Sequence, residues 1–248
     1  ADIIVKIDGD GQMDPAEIPH LIRPIWEGEA DYVKGNRFFR IEGLRSMPWA
    51  RLVGNAGLSF LSKLSTGYWN LFDPTNGYTA IHASVARLLP LDKISRRYFF
   101  ESDLLFRLNT LRAVVTDVPM EARYGGEKSS LSLTKALLQF PLYHLRSLVK
   151  RIFYNYFLRN FNMASLHLVL GLLLLGFGGS FGLREWIRGA QSSTTASAGT
   201  VMLAALPVLL GVQFLLNFVS FDMASAPRDS IHRKLQAATR PTALASTR

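Results

Sequence analysis

The stretch Ile3 to Pro15, IIVKIDGDGQMDP, contains the residues that decide the fold. Its first part is a short apolar run, and its second part is a loop rich in aspartate and glycine. We expect a buried parallel strand that delivers Asp8, Asp10 and Gln12 to the carboxyl edge of a sheet, where open α/β sheets bind ligands. Two carboxylates one residue apart suit a hard cation, Mg²⁺ or Mn²⁺, that bridges to a substrate phosphate. The stretch therefore predicts an α/β domain with a metal-assisted phosphate site.

Other interpretations of this motif stay open. Turns are often rich in Asp and Gly without binding a ligand. Haloacid-dehalogenase phosphatases carry a D-x-D-G-T pattern whose first Asp is the nucleophile; the match with Asp8 extends to Gly11, and Gln12 then departs from it. An EF-hand calcium loop is excluded, because Met13 and Pro19 stand where that loop needs Gly and Glu.

The stretch more closely resembles the D-x-D-x-Q motif of inverting GT-A glycosyltransferases, in particular the polyprenyl-phosphate sugar transferases typified by dolichol-phosphate mannose synthase. Five further segments resemble motifs of that family and follow in the family's order. They are Asp31 to Arg37 (DYVKGNR), Arg51 to Ala56 (RLVGNA), Asp73 to Tyr78 (DPTNGY), Glu101 to Asp103 (ESD) and Arg123 to Ser129 (RYGGEKS). Each segment alone is a weak signal, but together they extend the resemblance over residues 1–130.

The resemblance implies a role for each matched position. Asp8, Asp10 and Gln12 would hold Mg²⁺ or Mn²⁺ on the diphosphate of a nucleotide sugar, and Asp10 would count among the catalytic residues. Asp73 would orient or activate the acceptor, with Asp103 as the other candidate. The substrate-binding candidates are basic residues that would bind phosphate groups, a task that suits guanidinium forks: Arg37, Arg51, Arg123 and Lys128.

The amino-acid composition excludes some kinds of site and indicates the kind of partner. The 248 residues include no cysteine, which excludes disulfides and thiolate metal sites, and the net charge is +9. No Asp or Glu occurs between Glu127 and Glu185, while cations are spread through the segment before a long apolar run: Lys135, Arg146, Lys150, Arg151 and Arg159. A basic collar beside a hydrophobic span indicates anionic lipid headgroups rather than nucleic acid. An acid-poor linker would show the same composition.

Two stretches are long and apolar enough to cross a membrane. Residues 163–183 carry no charge, and as a helix they measure about 30 Å, the thickness of the hydrocarbon core. A second charge-free stretch, residues 189–221, is apolar from residue 198 onward. Cations precede the first span and follow the second, so the positive-inside rule puts both ends in the cytoplasm.

Prolines and polar residues interrupt the apolar pattern of these helical segments. Pro141 is expected to divide the segment before the first span into two amphipathic helices that lie in the membrane interface. Pro207 is expected to kink the second span. His167, Gln213 and Asn217 fall within the spans, where we expect them to form interhelical hydrogen bonds.

The predicted fold is a partial GT-A (Rossmann-like) α/β domain followed by amphipathic interfacial helices and two transmembrane helices. A GT-A domain ordinarily has several βα units before its D-x-D strand, so we expect an N-terminal truncation. The predicted segments are 1–130, the C-terminal part of the catalytic domain; 131–161, juxtamembrane amphipathic helices; 162–184, the first transmembrane helix; 185–197, an extracytoplasmic loop; 198–221, the second transmembrane helix; and 222–248, a cytoplasmic tail.

These patterns predict a multi-pass protein of the inner (plasma) membrane with a cytoplasmic catalytic domain. It would move a sugar from a nucleotide-diphosphate sugar to a polyprenyl (undecaprenyl or dolichyl) phosphate. This chain alone is expected to be inactive, and an exposed strand edge would favour homo-oligomers. The alternatives are a membrane-tethered phosphatase, with Asp8 as nucleophile and Asp10 as general acid, and a non-catalytic membrane fragment.

Overall fold

A computed structural model describes residues 1–9, 11, 13–37, 49–96, 99–120 and 133–239, without the side chains of residues 50–53, 55, 133–138 and 239. The chain divides into two compact units. The first consists of Ala1–Arg151 together with Ala226–Arg248, and the second of Ile152–Ser225. Residues that follow the apolar helices therefore belong to the same unit as the N-terminal domain.

The first unit is built on a four-stranded sheet. Its strands are β1 (Ile3–Lys6), β2 (Tyr32–Asn36), β3 (Thr79–His82) and β4 (Val115–Pro119), in the order β1-β3-β2-β4. β3 is antiparallel to both β1 and β2, whereas β2 and β4 are parallel. The sheet is thus mixed, and the predicted α/β class is confirmed.

The prediction that β1 is a buried parallel strand is wrong. β1 lies at one edge of the described sheet, pairs with β3 in the antiparallel sense, and leaves 48% of Ile4 exposed. A short apolar run specifies an extended segment. It does not specify the direction of the neighbouring strand, which depends on how a distant part of the chain returns to the sheet.

The helices are, in chain order, α1 (Ile18–Trp26), α2 (Trp49–Thr66), α3 (Ala83–Ala86), α4 (Phe100–Leu111), α5 (Leu133–Phe153), α6 (Met163–Ser192), α7 (Ala198–Ala224) and α8 (Ile231–Thr239). A 3₁₀ turn, Pro15–Glu17, leads into α1. The Asp14 carboxylate accepts the N–H of Ala16 over 2.9 Å and so caps this helical segment.

Two apolar clusters cover opposite faces of the sheet. Side chains alternate along a strand, and the adjacent residues Tyr32 and Val33 of β2 accordingly lie in different clusters. Leu105 and Leu108 of α4 pack with Tyr32, whereas α1 packs on the Val33 side. Helices on both faces leave the strand ends at the edge of the sheet for other contacts.

The second unit is dominated by α6 and α7, which are both long and apolar enough to cross a membrane by length and composition. They pack as an antiparallel pair at small residues. A Cβ at Gly171 would lie 3.1 Å from the Gly211 carbonyl oxygen, and one at Gly178 would lie 2.8 Å from that of Ala204. Such close backbone approach is typical of helix pairs in membranes.

Two expectations about the helical part of the chain are wrong. Pro141 does not divide its segment, because α5 continues through it to Phe153. A proline removes one backbone hydrogen bond, and the neighbouring turns maintain the helix here. Gln213 donates to Asn217 within α7 over 3.2 Å, so this exposed pair forms no predicted interhelical bond.

Arg151 does not belong to a basic collar that faces lipid. It is 2% exposed, and its guanidinium donates to the carbonyl oxygens of Ser65 (3.2 Å) and Leu64 (3.0 Å) at the C-terminal end of α2. A cation satisfies the last carbonyls of a helix and their partial negative charge. Charge counting along the sequence cannot distinguish such an internal cap from a surface charge.

Candidate functional site

One edge of the sheet brings together segments that are distant in the sequence. β1, β2 and β4 end at this edge, and the loop from Asp73 to Tyr78 enters β3 there because β3 runs in the opposite direction. The beginning of α4 also reaches it through Glu101. Four of the segments recognised in the sequence therefore meet: those of Asp8, Arg37, Asp73 and Glu101.

Asp8 lies two residues after the end of β1 and is held by the last residue of that strand, Lys6, which lies outside the recognised motif. The Lys6 ammonium donates to Asp8 Oδ1 over 2.9 Å and to Glu101 Oε1 over 3.3 Å. Partial burial lowers the pKa of the Lys6 ammonium, but the hydrogen bond to Asp8 and the charge of Glu101 outweigh that effect and raise the net pKa above its usual value. Lys6 thus stays charged between two carboxylates.

The loop before β3 requires a residue without a side chain at position 77, which is glycine. Its carbonyl oxygen accepts from the Lys6 ammonium over 3.3 Å, and a Cβ built at Gly77 would collide with the carboxylate of Asp8. The DPTNGY segment and the DGDGQ segment are consequently in direct contact. Any larger residue at position 77 would displace Asp8.

Arg37 and Asp73 form a bidentate ion pair at the end of β2. Arg37 Nε donates to Asp73 Oδ2 over 2.8 Å, and an Nη donates to Oδ1 over 3.2 Å. The Asp73 side chain is fully buried and also accepts the Thr75 hydroxyl, whereas 30% of the Arg37 side chain is exposed. A buried carboxylate with two parallel donors fixes the plane of the guanidinium. Arg37 is therefore presented at the edge in one orientation.

Buried polar side chains bind the loop that contains Asp73 to strand β2. The Asn76 side chain donates to the Gly35 carbonyl over 2.6 Å and accepts the Tyr78 N–H over 3.1 Å. The Lys34 ammonium donates to the Asn76 carbonyl over 2.6 Å. Burial lowers the pKa of Lys34 to about 8, against the opposing attraction of Glu101 and Asp73. The loop is thus fastened to β2 from both sides of Asn76.

Asp117 of β4 forms hydrogen bonds to the end of β2 and to the segment that precedes Asp73. Its carboxylate accepts the Asn36 side chain over 3.1 Å and the backbone N–H of Phe72 over 2.9 Å. Asp103 has a different task, because it accepts the Ser95 N–H over 2.7 Å and the Arg107 guanidinium. Of the acidic pair noted in the sequence, Glu101 therefore contacts the site, and Asp103 fastens a loop to α4.

The remaining predicted site residues lie outside the described residues: Asp10, Gln12, Arg123, Lys128 and the side chain of Arg51. Among the side chains that the structure does describe, no group of three or more His, Asp or Glu converges as a metal site. The assignment of these residues as ligands and phosphate binders stays a prediction.

The described residues still fit a divalent cation in part. Asp8 supplies a carboxylate, the ligand type that Mg²⁺ and Mn²⁺ prefer, and 44% of its side chain is exposed. Its Oδ1 already accepts the ammonium of Lys6, so a metal ion would bind beside that ammonium or replace it. With Arg37 fixed nearby on the same edge, the arrangement suits an anionic ligand that is bound through both a metal and a guanidinium.

The N-terminal part of the chain matches a known protein family. Residues 1–89 match the profile of the family described as "Glycosyl transferase family 2". That range contains Asp8, Arg37 and Asp73.

Curated relatives extend the similarity. The chain is 31% identical over 150 residues to UDP-N-acetylglucosamine–dolichyl-phosphate N-acetylglucosaminyltransferase of Methanococcus voltae, covering 60% of this chain and 59% of that protein. It is 33% identical over 136 residues to undecaprenyl-phosphate mannosyltransferase of Micrococcus luteus, covering 52% and 54%. The chain thus spans less than two thirds of the length of either relative.

A solved structure is similar at a lower level. It is glucosyl-3-phosphoglycerate synthase from Mycobacterium tuberculosis in complex with uridine diphosphate. The similarity covers 61% of this chain and 50% of that one, with 21% identity and a TM-score of 0.42.

Proposed function

We propose that this protein, whose residues 1–89 match the profile of glycosyl transferase family 2, moves a sugar from a nucleotide-diphosphate sugar to a polyprenyl phosphate. The observation that carries the proposal is the meeting of Asp8, Arg37 and Asp73 at one sheet edge, within or beside segments that resemble the family's motifs. The names of two relatives support a polyprenyl-phosphate acceptor. The same names support no phosphatase activity.

The proposed task of Arg37 is to bind the acceptor phosphate. That phosphate is already an anionic nucleophile, so it needs alignment and charge neutralisation more than a strong base. Asp73 contributes as a positioning residue, because its buried carboxylate is occupied by the Arg37 guanidinium and the Thr75 hydroxyl. This differs from direct activation of the acceptor by Asp73, the role implied by the resemblance. Arg51, Arg123 and Lys128 remain proposed phosphate-binding residues.

The proposed metal ligands are Asp8, Asp10 and Gln12, with Mg²⁺ or Mn²⁺ as the ion. When bound, the ion would neutralise the charge that develops on the leaving nucleoside diphosphate. Lys6 binds the Asp8 carboxylate beyond the end of β1, and the absence of a side chain at Gly77 leaves room for that carboxylate.

The membrane placement is also proposed. We assign α6 and α7 as two transmembrane helices, with Lys150 and Arg159 on the cytoplasmic side of the first. Residues 226–248 belong to the same compact unit as residues 1–151, which supports an even number of crossings. A catalytic unit at the cytoplasmic face of the inner membrane would meet a nucleotide sugar from the cytoplasm and a lipid-linked phosphate from the bilayer.

The test is sugar transfer in isolated membranes that contain these 248 residues expressed with any adjoining coding sequence, since this chain alone is expected to be inactive. Radiolabelled UDP-N-acetylglucosamine and GDP-mannose are supplied with Mn²⁺, and label in the organic extract is measured before and after mild acid, which cleaves a sugar from a lipid phosphate. The proposal expects acid-labile lipid product, and about a hundredfold less of it with Asp8→Asn.

Asp2→Asn is the matched control, because Asp2 is an exposed carboxylate near the same strand. It should retain normal transfer. Normal transfer by Asp8→Asn at equal protein level would refute the metal role of Asp8. Trapping of a phosphoaspartate at Asp8 would instead favour the phosphatase alternative.

A further inference from the structure

Lys6 lies in direct contact with the proposed metal ligand Asp8. It lies two residues before Asp8, and its ammonium contacts both Asp8 Oδ1 and Glu101 Oε1, at 2.9 Å and 3.3 Å. The Gly77 carbonyl and the Phe100 ring, whose centroid is 5.6 Å away, complete its surroundings. Lys6 thus already neutralises the carboxylate that the proposed function assigns to the metal.

A divalent cation bound to Asp8 would lie close to the Lys6 ammonium. Two positive charges within a few ångströms repel each other, and solvent reduces this repulsion only partly because the Lys6 side chain is 40% exposed. Glu101 offers a way to lower the repulsion. Its carboxylate is 17% exposed and already within hydrogen-bond distance of the ammonium, so Lys6 can keep a partner after it leaves Asp8.

We propose that Lys6 is a built-in competitor of the divalent cation at Asp8 and that Glu101 takes up its ammonium when the cation binds. Lys6 would lower the affinity of the nucleotide-free protein for metal, so that tight metal binding requires the additional negative charge of a diphosphate. Lys6 and Glu101 are positioning residues, since both act through Asp8. This inference rests on the metal site of the proposed function.

The proposal predicts opposite effects for the two positions. Lys6→Met removes the competitor and should tighten Mn²⁺ binding by about threefold or more. Lys6→Arg keeps the charge and should bind Mn²⁺ with wild-type affinity within about twofold. Glu101→Gln leaves the ammonium on Asp8 and should weaken Mn²⁺ binding by about threefold.

The experiment measures Mn²⁺ alone, without nucleotide, on the purified chain in detergent, from the electron paramagnetic resonance signal of the free ion. Thermal unfolding of each variant checks that it is folded, and Lys6→Gln replaces Lys6→Met if the latter does not fold. Lys93→Met is the matched control, because it removes an exposed lysine far from Asp8 in sequence and should leave Mn²⁺ affinity unchanged.

Combining the variants separates the competing explanations. If Glu101 acts through Lys6, Glu101→Gln has a smaller effect in the Lys6→Met background than in the wild type. An equal effect in both backgrounds, or weaker Mn²⁺ binding by Lys6→Met, would overturn the inference and leave the proposed function intact. If Asp8→Asn binds Mn²⁺ as the wild type does, or if no variant binds it, the proposed metal site fails and this inference fails with it.

Discussion

The carboxylate of Asp31 accepts a hydrogen bond from the His232 ring over 2.8 Å, across 201 residues of sequence. A carboxylate only accepts, so Nδ1 of His232 carries the proton. Asp31 also accepts the backbone N–H groups of Ile231, His232 and Val114, each over 2.8–2.9 Å. This single buried carboxylate thus fastens the beginning of α8 to the beginning of β2, the strand that ends at Arg37.

We expect Asp31→Asn to destabilise the first unit. The amide has one acceptor oxygen and no charge, so several charge-assisted bonds weaken and about 2 kcal/mol of unfolding free energy is lost. Thermal unfolding in detergent, together with protease cleavage after Arg233, measures the effect. Asp92→Asn changes an exposed aspartate and should alter neither measurement. Equal stability of the Asp31 variant would show that α8 is not held by this carboxylate.

The Arg37–Asp73 pair should behave as one functional group. Arg37→Lys loses the two parallel donors, and Asp73→Asn loses the charge that orients them, so each should reduce transfer to the acceptor by about tenfold or more. Because both changes disrupt the same interaction, the double variant should be little worse than the worse single variant. Kinetics at varied acceptor concentration give the comparison. Multiplicative losses would mean that Arg37 and Asp73 act independently.

Gly77→Ala should impair the site without unfolding the protein. The new methyl group would meet the Asp8 carboxylate, so either Asp8 or the loop must move. We expect metal-dependent transfer to fall by about tenfold or more, since displacement of a ligand by an ångström is costly. Gly57→Ala is the matched control, because a Cβ there meets no atom within 4 Å. Transfer by Gly77→Ala at the level of this control would contradict the contact.

Lys34 should make stability depend on pH above neutrality. Its folded pKa is about 8, below the usual value of about 10.4 in an unfolded chain. Between these values the unfolded chain binds more protons, so the contribution of Lys34 to stability rises with pH. The stability of the wild type relative to Lys34→Met should therefore increase by about 2 kcal/mol from pH 7.5 to 9.5.

Urea unfolding at the two pH values measures this difference. The same comparison with Lys93→Met, an exposed lysine, should give no change, because an exposed ammonium titrates alike in both states. A wild-type advantage over Lys34→Met that is constant or falls with pH would show that Lys34 is not buried as a charged group.

Single cysteines test the proposed membrane placement, since this chain contains none. Thr195 lies in the exposed connection between α6 and α7, and Ala237 is exposed on α8. An impermeant thiol reagent should label Thr195→Cys in intact cells and Ala237→Cys only after permeabilisation. Ser230 is unsuitable, because it is 5% exposed and donates to the Gly28 carbonyl. Labelling of Ala237→Cys in intact cells would refute a cytoplasmic tail.

Features governed by neighbouring residues could be predicted from the sequence. The cap at Asp14 and the two long apolar helices α6 and α7 follow from local signals in the sequence and are present in the structure. Caps and apolar periodicity act over a few residues, so a single segment contains the information. The direction of β1 did not follow, because it depends on β3, whose Thr79 pairs with Lys6 of β1 from a distant part of the sequence.

The candidate site shows the same division. Asp8, Arg37 and Asp73 were identified individually by the resemblance of their segments to family motifs. Their partners were not: Lys6 resembles no motif, and Asp73 pairs with Arg37 rather than standing alone. An ion pair between distant residues leaves no pattern in one sequence.

By itself, the sequence determined the two apolar spans, the absence of thiol chemistry and the order of the motif segments, because length, hydrophobicity and residue type belong to each segment alone. Only the tertiary structure decided which charged side chains are buried. In the sequence, Asp31 is a motif residue and Arg151 is one cation of the basic collar, yet both are buried and hydrogen-bonded to partners up to 201 and 87 residues away. Burial and pairing are properties of the folded chain, since they depend on which distant backbone groups the sheet and helices bring within hydrogen-bond distance.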